Sequence, residues 1–207
     1  MATQGRKPDA LRNATRSRVL DAALAGFARR GYEVTSLDSI AGELGITKQS
    51  ILYYFPSKET LLEGVVDDAA ADVYRALSEA DLQGAAWDRV RVVVRTVFSL
   101  AGSRPEVLGL LREVARLGPP AATRFSGHLS PLIDKATAYL DAAMARGELR
   151  RQDARLLLLA AYSTVVGMVT EVEVLRTLGL DSTARSLVRQ RQAALSFLYA
   201  ALTPAVP

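Results

Sequence analysis

The most constraining part of this chain is residues 36–56, where two short runs of helical periodicity are bracketed by residues that start and stop helices. Ser36 can cap the first run, Leu37–Leu44, with its hydroxyl. Leu37, Ile40, Ala41 and Leu44 fall on one face of that run. Gly45 ends it and can take a positive φ without steric cost, so the chain can reverse there. Thr47 can cap a second run, Lys48–Tyr54. Pro56 stops that run, because the residue before a proline is biased away from helix. Two helices joined by a tight glycine turn, the second one short and capped, make the helix-turn-helix pattern. Ala41 is small enough for a close crossing, and Ile46, Ile51 and Phe55 are placed to plug the underside against a preceding helix.

The second of these helices carries the candidate chemistry. Helical rotation puts Lys48, Gln49, Leu52 and Tyr53 on one stripe, with Ile51 and Phe55 to its other side. Such a stripe suits a DNA major groove. Lys can donate to guanine or to phosphate, Gln can pair with an adenine edge, and Leu can touch a thymine methyl. Tyr53, Tyr54 and Ser50 are candidates for backbone phosphates, as are the hydroxyls at the two helix starts, Ser36 and Thr47.

The rest of the chain reads as all-α. A first helix is expected from about Ala14, with Val19, Leu20, Ala23, Leu24 and Phe27 as its apolar face and Gly31 as its stop. Ser57 caps a fourth helix beginning at Lys58, which joins the first three to the remainder without a flexible linker. Later helices are expected over Ala86–Ala101, Pro105–Leu117, Leu129–Arg146, Gln152–Leu178 and Ser182–Leu202, with breaks at glycine and proline. The domains are then residues 1–56, a three-helix DNA-binding domain with its N-terminal arm, and residues 57–207, a larger helical domain.

Composition narrows the function classes. The chain has 207 residues, 49% hydrophobic, and no cysteine, which excludes disulfides, thiolate metal sites and cysteine nucleophiles. A single histidine, His128, argues against a metal site or a nucleophilic triad and reads as a surface or loop residue. No cofactor is expected. The first 13 residues lack the apolar core of a signal peptide, and the most apolar stretch, Leu156–Val169, is too short for a bilayer. A cytoplasmic protein with no membrane contact is expected. Residues 1–62 hold nine Lys/Arg against six Asp/Glu, whereas residues 63–207 hold seventeen against sixteen. The basic excess therefore sits in the first third, much of it in an arm over Arg6–Arg18. Charge alone leaves that arm open between a nucleic-acid contact and a solvated tail.

The run Arg18–Leu62 resembles the DNA-binding segment of the tetracycline-repressor (TetR) family. The matching residues are Phe27, Gly31-Tyr32, Thr35-Ser36, Ile40-Ala41 and Leu44-Gly45-Ile46-Thr47. The most diagnostic part is Tyr53-Tyr54-Phe55-Pro56-Ser57-Lys58-Glu59 with Leu61-Leu62. The resemblance implies an all-helical homodimer whose N-terminal domains bind a near-palindromic operator, usually to repress. It implies a C-terminal domain that binds a small-molecule effector and dimerises through its last two helices. Ligand binding would move the fourth helix and respace the two reading heads. The family usually has an aromatic where this chain has Leu52, which shifts Leu52 towards apolar base contact and leaves the phosphates to Tyr53, Tyr54 and Lys58. Lys58 opposes the dipole at a helix start, a small cost that points to a phosphate role.

In the C-terminal part, Phe98, Tyr139, Tyr162 and Met168 are the candidate lining of an effector cavity, with Gly167 opening space beside Met168. Leu187, Val188, Leu195 and Leu198 are the candidate dimer interface on the last helix. Asp67, Asp68 and Asp72 cluster on the fourth helix and read as a solvated face rather than a cation site. Glu171 and Glu173 read as surface or interface charge. Two rival functions remain from sequence alone: a helical enzyme with an appended DNA-binding domain, and an effector-independent structural DNA binder.

Overall fold

The computed structural model describes residues 6–181 and 183–204, with side chains from Arg12 onward except those of Val172 and Glu173. Helix is the only regular structure among them. The elements are α1 (Arg6–Arg30), α2 (Leu37–Leu44), α3 (Lys48–Tyr54), α4 (Lys58–Ser78) and α5 (Ala86–Ser103). They continue as α6 (Pro105–Leu117), α7 (Ala121–Ala145), α8 (Ala154–Thr170), α9 (Val172–Thr177) and α10 (Ala184–Leu202). The chain forms two compact units. One holds the residues up to Ala71 together with Gly109–Gly127, and the other holds Asp72–Leu108 and the residues from His128 onward.

In the first unit the turn chemistry works as the residue types demand. Ser36 accepts from the Ser39 N–H while the Ser39 hydroxyl accepts from the Ser36 N–H, a reciprocal cap that satisfies two orphan donors of α2. Gly45 sits at φ 65°, ψ 32°, and the Ile46 N–H returns to the Ala41 carbonyl at 3.0 Å. With the Gly45 N–H on the Gly42 carbonyl, this is the paired bonding that closes a helix on a left-handed glycine. Arg18 on α1 donates to the Leu44 carbonyl, covering another free acceptor at the same end. Thr47 caps α3 by accepting from Ser50 N–H, and Ser57 with Thr60 makes a second reciprocal cap at the start of α4.

Val19, Ala23 and Phe27 of α1, Ile40 of α2, Ile51 of α3 and Leu61, Val65 and Val66 of α4 are all fully buried. Removing a side chain such as Phe27 from a packed site costs about 3–5 kcal/mol. Helix α6 adds Leu110 and Val114 to the buried set of this unit, and α7 adds Ala121 and Phe125.

The second unit has its own core. Val94 and Phe98 of α5, Leu140, Ala143 and Met144 of α7, Leu157 and Val165 of α8, and Ala194, Leu195, Leu198 and Leu202 of α10 pack in one cluster. Trp87 of α5 meets Tyr199 of α10 edge to face at 5.0 Å.

Three helix boundaries differ from the sequence expectation. Helix α1 begins at Arg6 rather than Ala14, so residues 6–13 continue a helix instead of forming an irregular arm. Pro8 lies in its first turn, where a missing N–H costs nothing. Residues 1–5 of the expected arm lie outside the described residues. Helix α7 begins at Ala121 rather than Leu129 and runs through Pro131. Its early part buries Ala121 and Phe125, four apart on one face, and that burial extends the helix about two turns before the expected start. The expected single helix Gln152–Leu178 is instead α8 and α9, divided at Glu171, where ψ is 63°. No glycine or proline marks that division.

Candidate nucleic-acid interface

Helix α3 is anchored from below by Ile51 and by Phe55 just beyond its end, both buried. Anchoring that face leaves the opposite one to solvent. Thr47, Lys48 and Gln49 are exposed, Tyr53 is 65% exposed, and Ser50, Leu52 and Tyr54 are half-buried at the flanks. The expected reading stripe is therefore brought together on one side of one helix, with Leu52 the least accessible of its four members.

The Lys48 ammonium pairs with the Asp38 carboxylate of α2 at 2.9 Å, with both side chains largely exposed. An exposed pair of this kind is worth at most about 1 kcal/mol, so Lys48 can exchange Asp38 for a base edge or a phosphate. The Thr47 and Ser50 hydroxyls are 2.9 Å apart at the N-terminus of α3, and Ser36 stands exposed at that of α2. Tyr53 and Tyr54 meet edge to face at 5.0 Å, which fixes the direction of each ring.

Lys58 lies over the face of Tyr32, 4.2 Å from the ring centroid, and donates to the Glu33 carbonyl at 3.2 Å. The Tyr32 hydroxyl meets the Glu59 carboxylate at 3.3 Å, and its ring stands edge-on to Phe27. Partial burial, then the Glu59 charge and hydrogen bond, push the Tyr32 phenol up to about 12.

Two arginines of the expected arm stand on α1 instead, against aromatic rings of and beside α3. Arg12 lies 5.7 Å from the Tyr53 ring centroid and Arg16 lies 5.2 Å from that of Phe55. Their i, i+4 spacing was the available signal, since it places both on one face of a helix that starts early enough. The side chains of Arg6 and Lys7 lie outside the described residues.

Two of the three acidic residues clustered on α4, Asp67 and Asp72, are paired rather than merely solvated. Asp67 takes both arms of the Arg124 guanidinium, at 2.7 Å each, within the first unit. Asp72 pairs with Arg104 and Arg75 within the second. Among the described residues no group of acidic or histidine side chains is arranged to hold a metal ion. His128 is exposed on α7.

In the second unit Phe98 belongs to the core cluster, and Tyr139 and Met168 pack against it. Tyr162 is 51% exposed and does not join them as an inward-facing residue. A Cβ at Gly167 would meet nothing within 4 Å, so there is open space at that point of α8. A feature not read from sequence is the polar pair Ser186 and Gln190 on α10. Both are buried, the Gln190 amide donates to Ser186, and its Oε1 lacks a hydrogen-bond partner among the described residues.

The dimer expectation for α10 needs correcting at two positions. Leu195 is 5% exposed and Leu198 2%, both within the chain's own core, so they have almost no area to give a partner. Leu187 packs partly against the same core, and Val188 is exposed. The exposed surface of α10 carries Ala193, Phe197 and Ala200 at helical spacing, and that of α8 carries Leu156, Leu159 and Tyr162. No helix among the described residues is long and apolar enough to cross a membrane.

Comparison with known proteins bears on this arrangement. Residues 19–65 match the family model described as bacterial regulatory proteins, tetR family. The HTH-type transcriptional regulator RutR of Escherichia coli K12 is 27% identical over 164 residues, 78% of this chain and 76% of RutR. A protein of Saccharomonospora viridis, described as a transcriptional regulator in complex with choline, superposes with a TM-score of 0.75. It is 21% identical and covers 93% of this chain and 99% of its own. A TetR transcriptional regulator of Chloroflexus aurantiacus superposes with a TM-score of 0.74 at 24% identity, covering 95% of this chain and 100% of its own. These two share the fold, with an N-terminal helix-turn-helix domain and a helical C-terminal domain. The matched segment spans the second half of α1, all of α2 and α3 and the start of α4, the elements that build the exposed stripe, and this part of the chain is similar to the DNA-binding segment of bacterial regulatory proteins of the tetR family.

Proposed function

We propose that the protein is a homodimeric repressor that reads a two-fold symmetric operator and is released from it by a small-molecule effector. The observation that carries this reading is the α3 surface: Lys48, Gln49 and Tyr53 exposed on one side, with Ile51 and Phe55 locked beneath. Lys48, Gln49 and Leu52 face base edges, and Ser36, Thr47, Ser50, Tyr53, Tyr54 and Lys58 hold phosphates on either side. Residues 1–56 form the reading head, and residues 57–207 supply effector binding and dimerisation.

Dimerisation uses the exposed apolar surfaces of α8 and α10, with Leu156, Leu159, Val188 and Phe197 as contacts and the alanines of α10 allowing close approach. A closed two-fold pair puts two reading heads on one duplex, which is why the operator should mirror it. The effector sits among Phe98, Tyr139 and Met168, and the open side of Gly167 and the unpartnered oxygen of buried Gln190 favour a ligand that offers a hydrogen-bond donor. The S. viridis neighbour holds choline, a compact organic cation, which supports a small-molecule ligand in this fold. Release requires only that the effector bind better to the state whose heads misfit the operator.

Selection of bound duplexes from a random library tests the proposal. It should return two inverted half-sites of fixed spacing. Retention of all sequences alike would identify a structural DNA binder instead.

A further inference from the structure

Glu113 of α6 reaches the connector between α1 and α2 from outside the three-helix head. Its carboxylate is 8% exposed, and Oε1 accepts the Tyr32 backbone N–H at 2.6 Å. The same carboxylate takes two bonds from Arg116, one turn on, at 2.9 and 2.8 Å. Those bonds, then the Tyr32 amide, hold the Glu113 carboxyl below the usual range against the opposing effect of burial.

The approach of the helix is fixed one turn earlier. A Cβ on Gly109 would lie 3.0 Å from the Ala28 Cβ and 3.3 Å from the Ala28 carbonyl, so α6 meets α1 at a distance suited to glycine. Glu113 is thus delivered to the connector by a close helix contact rather than by a flexible loop.

What it holds there is the support of Lys58. The Tyr32 N–H bonded by Glu113 belongs to the residue whose ring lies under the Lys58 ammonium, and the next carbonyl, that of Glu33, accepts from the same ammonium. A lysine free to rotate loses conformational freedom when it grips a phosphate, and one already held loses less.

We propose that Glu113 is a positioning residue for DNA binding, which sets the Tyr32–Glu33 turn and through it the phosphate-gripping place of Lys58. This rests on the reading of Lys58 as a phosphate anchor. Lys58 is one of four lysines in the chain, which makes it accessible to selective labelling.

The test compares Glu113→Ala, Glu113→Gln, Lys58→Ala and the Ala/Ala double variant. Three quantities are measured: duplex affinity across a salt series, melting temperature, and the NMR signal of ¹³C-labelled Lys58 Cε without DNA. In the wild type that signal should be displaced upfield by the Tyr32 ring. Glu113→Ala should move it towards that of a free lysine, weaken selected and random duplexes alike by roughly tenfold, and lower the salt slope by about one. Glu113→Gln keeps an acceptor for the Tyr32 N–H and should retain most of both. The double variant should bind no more weakly than Lys58→Ala.

An unchanged Lys58 signal in Glu113→Ala, or losses that add in the double variant, would overturn the proposal while leaving the anchor reading intact. A salt slope unchanged by Lys58→Ala would instead remove the anchor and the proposal with it.

Discussion

The guanidinium of Arg12 lies over the ring of Tyr53, 5.7 Å from its centroid, and so joins the N-terminal half of α1 to the exposed edge of α3. Arg16, one turn later, lies in the same way over Phe55. The basic excess of the first third is therefore partly carried on a helix beside the reading surface. Arg12→Ala should weaken binding to every duplex sequence and reduce the salt slope by about one, with the melting temperature nearly unchanged. Fluorescence anisotropy over a salt series reads this out. A full slope would leave Arg12 as a brace for Tyr53 only.

Gln49 is exposed and Lys48 is bonded across the surface to Asp38. Gln49→Ala should cost roughly 1–3 kcal/mol at one base position of the half-site and nothing at the others. Repeating the duplex selection with the variant decides it. The same preferred bases would remove Gln49 from the readers.

Tyr32 gives a pH signature. Its phenol is held up to about 12 against an ordinary value of 10.0, through partial burial and then Glu59 and Glu33. The folded state thus keeps a proton that the unfolded chain releases. The associated stability is whole below about pH 10 and is lost as pH rises through about 12. Absorbance titration at the phenolate band should show one tyrosine ionising late, and Tyr32→Phe should abolish that phase. A late phase surviving in Tyr32→Phe would assign it to another tyrosine.

Gly45 holds the turn between α2 and α3 at a positive φ. Gly45→Val should destabilise the protein by roughly 1–2 kcal/mol, since the left-handed region is strained for a side chain. No neighbouring atom lies near a Cβ there, so the loss is one of backbone alone. Urea unfolding of the variant measures it, and an unchanged midpoint would show that the turn accepts another conformation.

Phe197 is exposed on α10, whereas Leu198 beside it is buried in the core. Phe197→Glu should convert a dimer to a monomer by sedimentation without lowering helix content, because it burdens only the partner face. A dimer that persists in the variant would place the interface elsewhere.

Much of the reading head was legible in the sequence because its helices are short and closed by residues with strong backbone preferences. Ser36, Gly45, Thr47 and Pro56 fix α2 and α3 to the residue. The start of α7 was less legible: the helix was expected from Leu129 but begins at Ala121, where Ala121 and Phe125 are buried. The apolar stripe of α10 was legible, but periodicity does not say whether a partner or the chain's own core covers it, and for Leu195 and Leu198 it is the core. Glu113 left no local trace, since its bond to Tyr32 joins residues 81 apart. The supports of Lys58 and Tyr53 are likewise products of tertiary folding.

Sequence-specific DNA reading falls to α3. The most direct measurement is the ratio of affinities for the selected duplex and for a scrambled duplex of equal length, at one fixed salt concentration near physiological. The ratio should be about a thousand or more, and should fall in Gln49→Ala and Lys48→Ala. A ratio near one, with both duplexes bound, would contradict it.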